Sequence, residues 1–354
     1  MSMSERATPR RARVALLVML CAALAGPQPA TAQTVEAFYK GRAITLIVGF
    51  APGGINDIAG RLVARHLGRF IPGEPSIVVQ NMPGAGGLVT ANRMYNVAEK
   101  DGSVIAGLGR SVPQLAIQGH PNANFDPARF TWLGSLSSYA NDAYLMVVHA
   151  RHRARSVADL KQAGITANLG TDRAGATNLV FSLVAKEILG LNVHLVRGYS
   201  GAAPMFLAMQ SGELDGQVVG FSSIKAGQRD LWSRNELRPL VQFGRTNRLA
   251  ELPEVPTGRE LTSDPEALAL LEFAEQPFFM ALPFAAPPGV PADRAKALQA
   301  AFVAMCQDET FVAEARKLGL DVSPIDADAV LKQLARAAAT PKDVIARYNA
   351  MEKN

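Results

Sequence analysis

Four stretches gather small residues where an apolar run gives way to a helical pattern: FAPGGIND (50–57), NMPGAGG (81–87), GTDRAGAT (170–177) and GYSGAAP (198–204). The chemistry open to them is anion capture. The first backbone N–H groups of a helix have no partner within the helix and lie at the positive end of its dipole. Small side chains leave that backbone open, so a carboxylate or phosphate can come within hydrogen-bonding distance. On this reasoning the candidate ligand contacts are Phe50, Ala51, Gly53, Gly54 and Asn56, with Asn81, Pro83, Gly84, Ala85, Gly86 and Gly87 on the second stretch. Thr171, Ala174, Gly175, Ala176 and Thr177 belong to the third, and Tyr199, Ser200 and Gly201 to the fourth. Tight turns also need glycine for purely structural reasons, and each stretch taken singly allows that alternative. Four of them together favour a cleft.

Three charged residues stand beside these stretches. Asp57 falls in a first helical turn, where an acid complements the dipole, or where it meets a ligand hydroxyl, amine or water. Arg110 follows an apolar run and has the planar fork that grips a carboxylate with two hydrogen bonds; the alternative is a solvated side chain. Asp215, in SGELDGQ, is either a ligand or hinge residue or an acid in a turn.

Enzyme chemistry finds little support. There is no phosphate-binding G-x-x-x-x-G-K-[ST] sequence. GAGG at 84–87 does not extend to G-x-G-x-x-G, because Val89 occupies the last position. Gly198-Tyr199-Ser200-Gly201-Ala202 approaches a nucleophile elbow, which requires a histidine later in the chain. The five histidines are His66, His120, His149, His152 and His194, all before Ser200. His149 and His152 lie among Arg151, Arg153 and Arg155, surroundings that disfavour a divalent metal. No cysteine–histidine set has zinc spacing. No catalytic residue, metal or cofactor is expected.

Alternating elements must position the four stretches. AITLIVGF (43–50), PSIVVQN (75–81) and SVIAGLG (103–109) read as strands separated by helical patterns. That βαβαβ order implies a mostly parallel, doubly wound sheet. The order restarts after residues 130–150. SVADLKQAG is expected to be a helix capped by Ser156, and ITANLGT, VHLVRGY, LDGQVVGF and LRPLVQFG are strands of a second α/β unit. Ligands of such sheets bind beyond the carboxyl ends of the strands, where all four stretches fall.

The bulk properties fit. A chain of 354 residues, 48% apolar and 19% charged, is long enough for two domains with sizeable cores. Aromatic residues, 6%, argue against a base-stacking or sugar-stacking surface. Residues 1–32 read as a secretion signal: Arg10, Arg11 and Arg13, then an apolar run from 14 to 25, then Ala30-Thr31-Ala32 before a cut at Gln33. Four arginines and one glutamate leave with that segment, so the formal charge of +5 falls to +2 and gives no ground for nucleic-acid binding. Cys21 leaves too, and the remaining Cys306 has no intramolecular disulfide partner.

The sequence resembles the substrate-binding proteins of tripartite tricarboxylate transporters, the Bug-type periplasmic receptors. The resemblance rests on YKGRAITLIVGFAPGGINDIAGRLVARHLG, VVQNMPGAGGLVTAN, KDGSVIAGLG, LVRGYSGAAPMFLAMQSGELDG, LPEVPT and APPGVPADR, in order along the chain after residue 32. It implies the type 2 periplasmic-binding-protein architecture, two doubly wound α/β domains with a ligand cleft between them. The boundaries expected are 33–142 for the first part of domain 1, 143–245 for domain 2, and 246–354 for a return to domain 1. It further implies a periplasmic monomer that binds a small organic acid or amino-acid-like ligand and delivers it to membrane transporter subunits, with loops 50–57 and 81–87 holding a carboxylate through backbone amides and water. The same fold serving a membrane signalling kinase is the alternative; a secreted hydrolase using Ser200 is a further one. Two departures bear on selectivity. Ile55-Asn56 stands where the family has a third glycine followed by serine or threonine, and Asp172-Arg173 stands where small residues are commoner.

Overall fold

The structure, a computed structural model, describes residues 33–172 and 176–353. The expected signal segment 1–32, and Arg173, Ala174 and Gly175, lie outside the described residues.

Two sheets carry the fold. The first contains β1 (Ala43–Val48), β2 (Ser76–Asn81), β3 (Val104–Gly107), β4 (Thr131–Ser135), β10 (Pro283–Ala286) and β11 (Ile325–Asp326), in the order β11-β4-β10-β3-β1-β2. The second contains β5 (Tyr144–His149), β6 (Ala167–Thr171), β7 (Val193–Arg197), β8 (Gly216–Gly220) and β9 (Leu237–Phe243), in the order β7-β6-β8-β5-β9. β1 pairs in parallel with β2 and β3, and β6 with β7 and β8. β10 is antiparallel to both β3 and β4, and β5 to both β8 and β9. The sheets share one plan: four strands run the same way, and one reversed strand, brought in by the crossing from the other sheet, sits between the third and the fourth; the first sheet adds a second reversed strand, the short β11, at its edge beside β4. The ladders are therefore mixed rather than mostly parallel. The carboxyl ends of the four co-directional strands still share one edge.

Each sheet is covered on both faces. Along β1, Ile44, Leu46 and Val48 pack with Leu62, Val63, Phe302 and Phe311, while Ile47 joins Leu88, Met94, Trp132 and Leu334 on the other face. Burial on both sides explains why this strand is a near-continuous apolar run. In the second sheet Met146 and Val148 face Phe181, Leu271 and Phe273, and Leu145 and Val147 face Met205, Phe206 and Phe221.

The chain crosses between sheets at 136–143 and again at 244–282. We place the domain divisions near 142 and 245 as a proposal. The helices Pro265–Glu275 and Lys342–Lys353 pack into the core of the second sheet through Leu270, Leu271, Tyr348 and Met351, so residues 246–354 are shared between the two bodies. The helix expected at Ser156 is a single 3-10 turn, Asp159–Lys161. Asp159 takes hydrogen bonds from the Arg155 and Ser156 backbone N–H groups and the Ser156 hydroxyl, closing a local turn that competes with helix.

Candidate functional site

The helices Ile55–His66, Leu88–Asn96 and Ala202–Ser211 start at Gly54, Gly87 and Gly201, and the helix Thr177–Leu183 starts at Ala176; none has a side-chain cap. Thr34, Asp264, Asp308 and Asp326 close other helix starts with their own oxygens, while Phe221–Gly227 and Ala292–Gln307 also start without a side-chain cap. An uncapped start keeps its N–H groups for water or a ligand.

The first two loops and the turn after β3 meet backbone to backbone. A Cβ at Gly109 would lie 2.9 Å from the Gly86 carbonyl oxygen and 2.9 Å from the Phe50 ring, so only glycine allows this approach. Gly86 itself has φ +65° and open space where its side chain would be.

Between the sheets lies a cavity of about 940 Å³. The first unit contributes Phe50, Ile55, Asn56, Ala85, Gly86 and Arg110 to its wall, and the second contributes Tyr144, Thr177, Val180, Phe181, Gly220 and Ser222. The crossings add Tyr139, Asp142 and Phe278, and the C-terminal region adds Asp321, Tyr348 and Glu352. Tyr139, Tyr144 and Phe181 each make ring contact with Phe278, and Tyr144 also with Tyr139 and Phe181; the Tyr139 and Phe278 centroids are 5.0 Å apart and those of Tyr144 and Phe278 5.1 Å apart. Arg110 lies across the division: its guanidinium is 4.1 Å from the Phe278 ring centroid, and Nη2 donates to the Thr177 hydroxyl at 3.1 Å.

Residues 61–350 match the TctC family, described as the tripartite tricarboxylate transporter family receptor. The chain belongs to this family of solute receptors. It is 28% identical over 242 residues to the UPF0065 protein in the gbd 5'region of Cupriavidus necator, covering 66% of this chain and 68% of that one. It superposes on a TctC solute-binding protein from Polaromonas with TM-score 0.68 and 20% identity, covering 87% of this chain and 99% of that one. A Rhodopseudomonas palustris protein solved with adipate gives TM-score 0.56 and 21% identity over 88% of this chain and 97% of that one. These two structures are similar to this chain in fold.

Within this TctC-family chain the predicted contacts separate into groups. Phe50, Asn56, Ala85, Gly86, Arg110 and Thr177 line the cavity. Gly53, Gly54, Gly84 and Gly87 shape the loops behind them, and Ala51 and Pro83 are exposed on the same loops. Asp57 is buried and its oxygens are taken: Gly53 N–H donates at 2.9 Å, Arg61 Nε at 3.0 Å and Asn81 Nδ2 at 2.7 Å. Burial works against the carboxylate, but the hydrogen bonds from Arg61, Asn81 and Gly53 outweigh it and hold the carboxyl at about 2. Asn81 also donates to the Phe50 carbonyl at 3.0 Å, so the pair fastens the first loop to the end of β2.

In the second unit Thr171 is fully buried, and its hydroxyl faces the Val196 carbonyl at 3.4 Å. The Tyr199 hydroxyl donates to Glu213 at 2.6 Å, a bond to a carboxylate that, with burial, pushes its pKa up to about 12. Ser200 is exposed, and Gly201, at φ +115°, starts the helix behind it; neither lies on the cavity wall. Asp215 precedes β8, at the end of the sheet away from the cleft, and accepts two hydrogen bonds from Asn168. Sequence reasoning passed over Tyr139, Tyr144, Phe181, Phe278, Asp142, Asp321 and Glu352. Only the apolar burial of the aromatics was readable; that they converge on one wall was not.

Proposed function

We propose that the chain is an exported solute receptor that captures a small carboxylate in the interdomain cleft and delivers it to a tripartite tricarboxylate-type membrane transporter. Its leader is cut between Ala32 and Gln33, and the remaining chain acts as a periplasmic monomer without enzymatic activity. The observation that carries this is that three of the uncapped helix starts, at Ile55, Leu88 and Thr177, and Arg110 face one cavity between two units. Phe50, Asn56, Ala85, Gly86, Arg110 and Thr177 are the proposed contacts. Helix-start N–H groups supply donors to a carboxylate without demanding charge, and closure of the two units hides it from water. The adipate bound to the Rhodopseudomonas palustris relative supports a carboxylate as the ligand class.

A ligand that binds the folded state alone stabilises it by about 2.7 kcal/mol at one hundred times its Kd. A thermal-shift screen of the protein lacking residues 1–32, with mono- and dicarboxylates, amino acids and aromatic acids, should therefore raise Tm for a subset of acids. Silence across all of them would refute carboxylate capture.

A further inference from the structure

The cavity wall is unusual in its charges. It carries one guanidinium, Arg110, and three carboxylates, Asp142, Asp321 and Glu352. Among the described residues no carboxylate forms an ion pair with Arg110. Its partners are the Phe278 ring at 4.1 Å, the Tyr144 ring at 5.8 Å and the Thr177 hydroxyl. A guanidinium lying on aromatic faces is held in orientation and partly shielded from water, with donors left for a planar anion.

The three carboxylates are differently placed. Asp142 accepts from the Ala143 and Ser222 backbone N–H groups at 2.8 and 3.0 Å. Asp321 accepts from the hydroxyls of Ser137 and Ser323 and from Asn141 Nδ2. Glu352 accepts from the Tyr348 hydroxyl and Gln118 Nε2, both at 3.3 Å. Each is engaged by protein donors, so none reaches out for a ligand amine. Burial pushes the Asp142 and Glu352 carboxyls up and Arg245 lies beside Asp142 and Asp321, so what opposes a second negative charge in the cavity is a partial charge, carried chiefly by Asp321. The cavity volume lies near the upper end of the usual range for small-molecule sites, roughly 300–1,000 Å³. A thin aliphatic diacid would leave the aromatic wall wet.

We propose that Arg110 is the specificity-determining residue of the cleft, and that the ligand is a monocarboxylate carrying an aromatic or compact apolar body rather than a di- or tricarboxylate. The carboxylate pairs with Arg110, and the body lies against the half-buried Tyr144, with the buried rings of Tyr139, Phe181 and Phe278 packed behind it. The inference rests on carboxylate capture in this cleft and narrows it: one charge at one end, apolar surface beyond it, and like charge that rejects a second acid.

The test is calorimetric titration of the protein lacking residues 1–32 with 3-phenylpropanoate, its neutral amide, phenylalanine and adipate. The acid should bind at least about ten-fold more tightly than adipate or the amide, each ten-fold being one increment of about 1.4 kcal/mol. Arg110→Gln should weaken the acid at least about thirty-fold while leaving the ligand-free Tm in place, because a desolvated charge pair is lost. Arg110→Lys should restore part of that affinity. Asp321→Asn, which removes one opposing charge, should improve adipate by a larger factor than the acid; this second variant tests the charge argument if Arg110→Gln folds poorly. Adipate binding more tightly than 3-phenylpropanoate overturns the monocarboxylate assignment while carboxylate capture stands. Phenylalanine binding more tightly than its des-amino counterpart would place an amine against the acids and also overturn it. If none of the acids binds, carboxylate capture falls and takes this inference with it.

Discussion

Asp57 stands four residues from both Gly53 and Arg61 and holds both. In the sequence its two possible roles, completing the helix start or meeting a ligand, are indistinguishable, because each needs an acid in the first turn. The deciding partner, Asn81, is twenty-four residues away and becomes a neighbour only when β2 pairs with β1. The carboxylate of Asp57 ionises at about 2 in the folded protein, below its ordinary value of 3.8. A depressed carboxyl stabilises the fold fully above the unfolded value, and that stabilisation is lost as pH falls through the folded value. Thermal melts from pH 7 to pH 2 should therefore show the wild-type protein losing stability between about pH 4 and pH 2. Asp57→Asn should be less stable at neutral pH and show a shallower decline in that window. A variant that matches wild type at both ends would deny Asp57 its fastening role.

The loops form the next scale. Gly86 and Gly54 were equivalent as sequence, two small residues before two helices, and the backbone separates them. Gly54 has φ −83°, with nothing within 4 Å of an added Cβ, and it lies off the cavity wall. Gly86 has φ +65° and lies on it. Gly86→Ala should cost about 1–2 kcal/mol, the penalty for an L-residue held in the left-handed region, and should also weaken ligand binding. Gly54→Ala should be close to neutral in both Tm and Kd. Equal losses in the two variants would mean that the whole loop, rather than the exposed face of Gly86, sets affinity. The same contrast explains which elements could be read in advance. β1, β2, β3, β6, β7 and β8 are apolar runs followed by helical periods, and local pattern suffices for them. β4 and β5 lie in an unbroken stretch, residues 130–150, whose strands separate only because the chain leaves one sheet and joins the other. The turn at Ser156 was misjudged because Asp159 answers its backbone donors locally. Likewise the helix Pro265–Glu275 lies beyond the strand pattern, and its place is set by the core of the second sheet rather than by its own sequence.

At the scale of the whole molecule, function depends on how the two units are joined, which no local pattern records. The outgoing crossing holds Tyr139, whose backbone is left-handed at φ +62° and whose ring faces the cavity. The returning crossing begins at Gly244 and Arg245. Arg245 Nη1 donates to the carbonyls of Tyr139, Ala140 and Asp142, clasping the two crossings together. Beside it, the fully buried Glu275 accepts from Gly244 N–H at 2.9 Å and pairs with Arg259 at 2.7 Å. The clasp therefore ties the two crossings together at Tyr139, one of the aromatic-wall residues. Hydrogen bonds to a charged donor contribute about 1.5–3 kcal/mol each and are not additive within one group. Arg245→Met keeps the aliphatic stem and removes these three bonds together with the one from Nε to the Asn247 carbonyl, and it should lower stability by about 2–3 kcal/mol. Because the clasp fixes the relative position of the two halves of the cavity, the same change should weaken ligand binding and speed amide exchange at 136–143. Arg248→Met is the matched control: its bridge to Glu260 joins two side chains that are 41% and 43% exposed, and such pairs contribute about 0–1 kcal/mol. The control should leave Kd and exchange at 136–143 unchanged. If Arg245→Met lowers Tm but leaves both Kd and exchange at wild-type values, the clasp holds the fold alone.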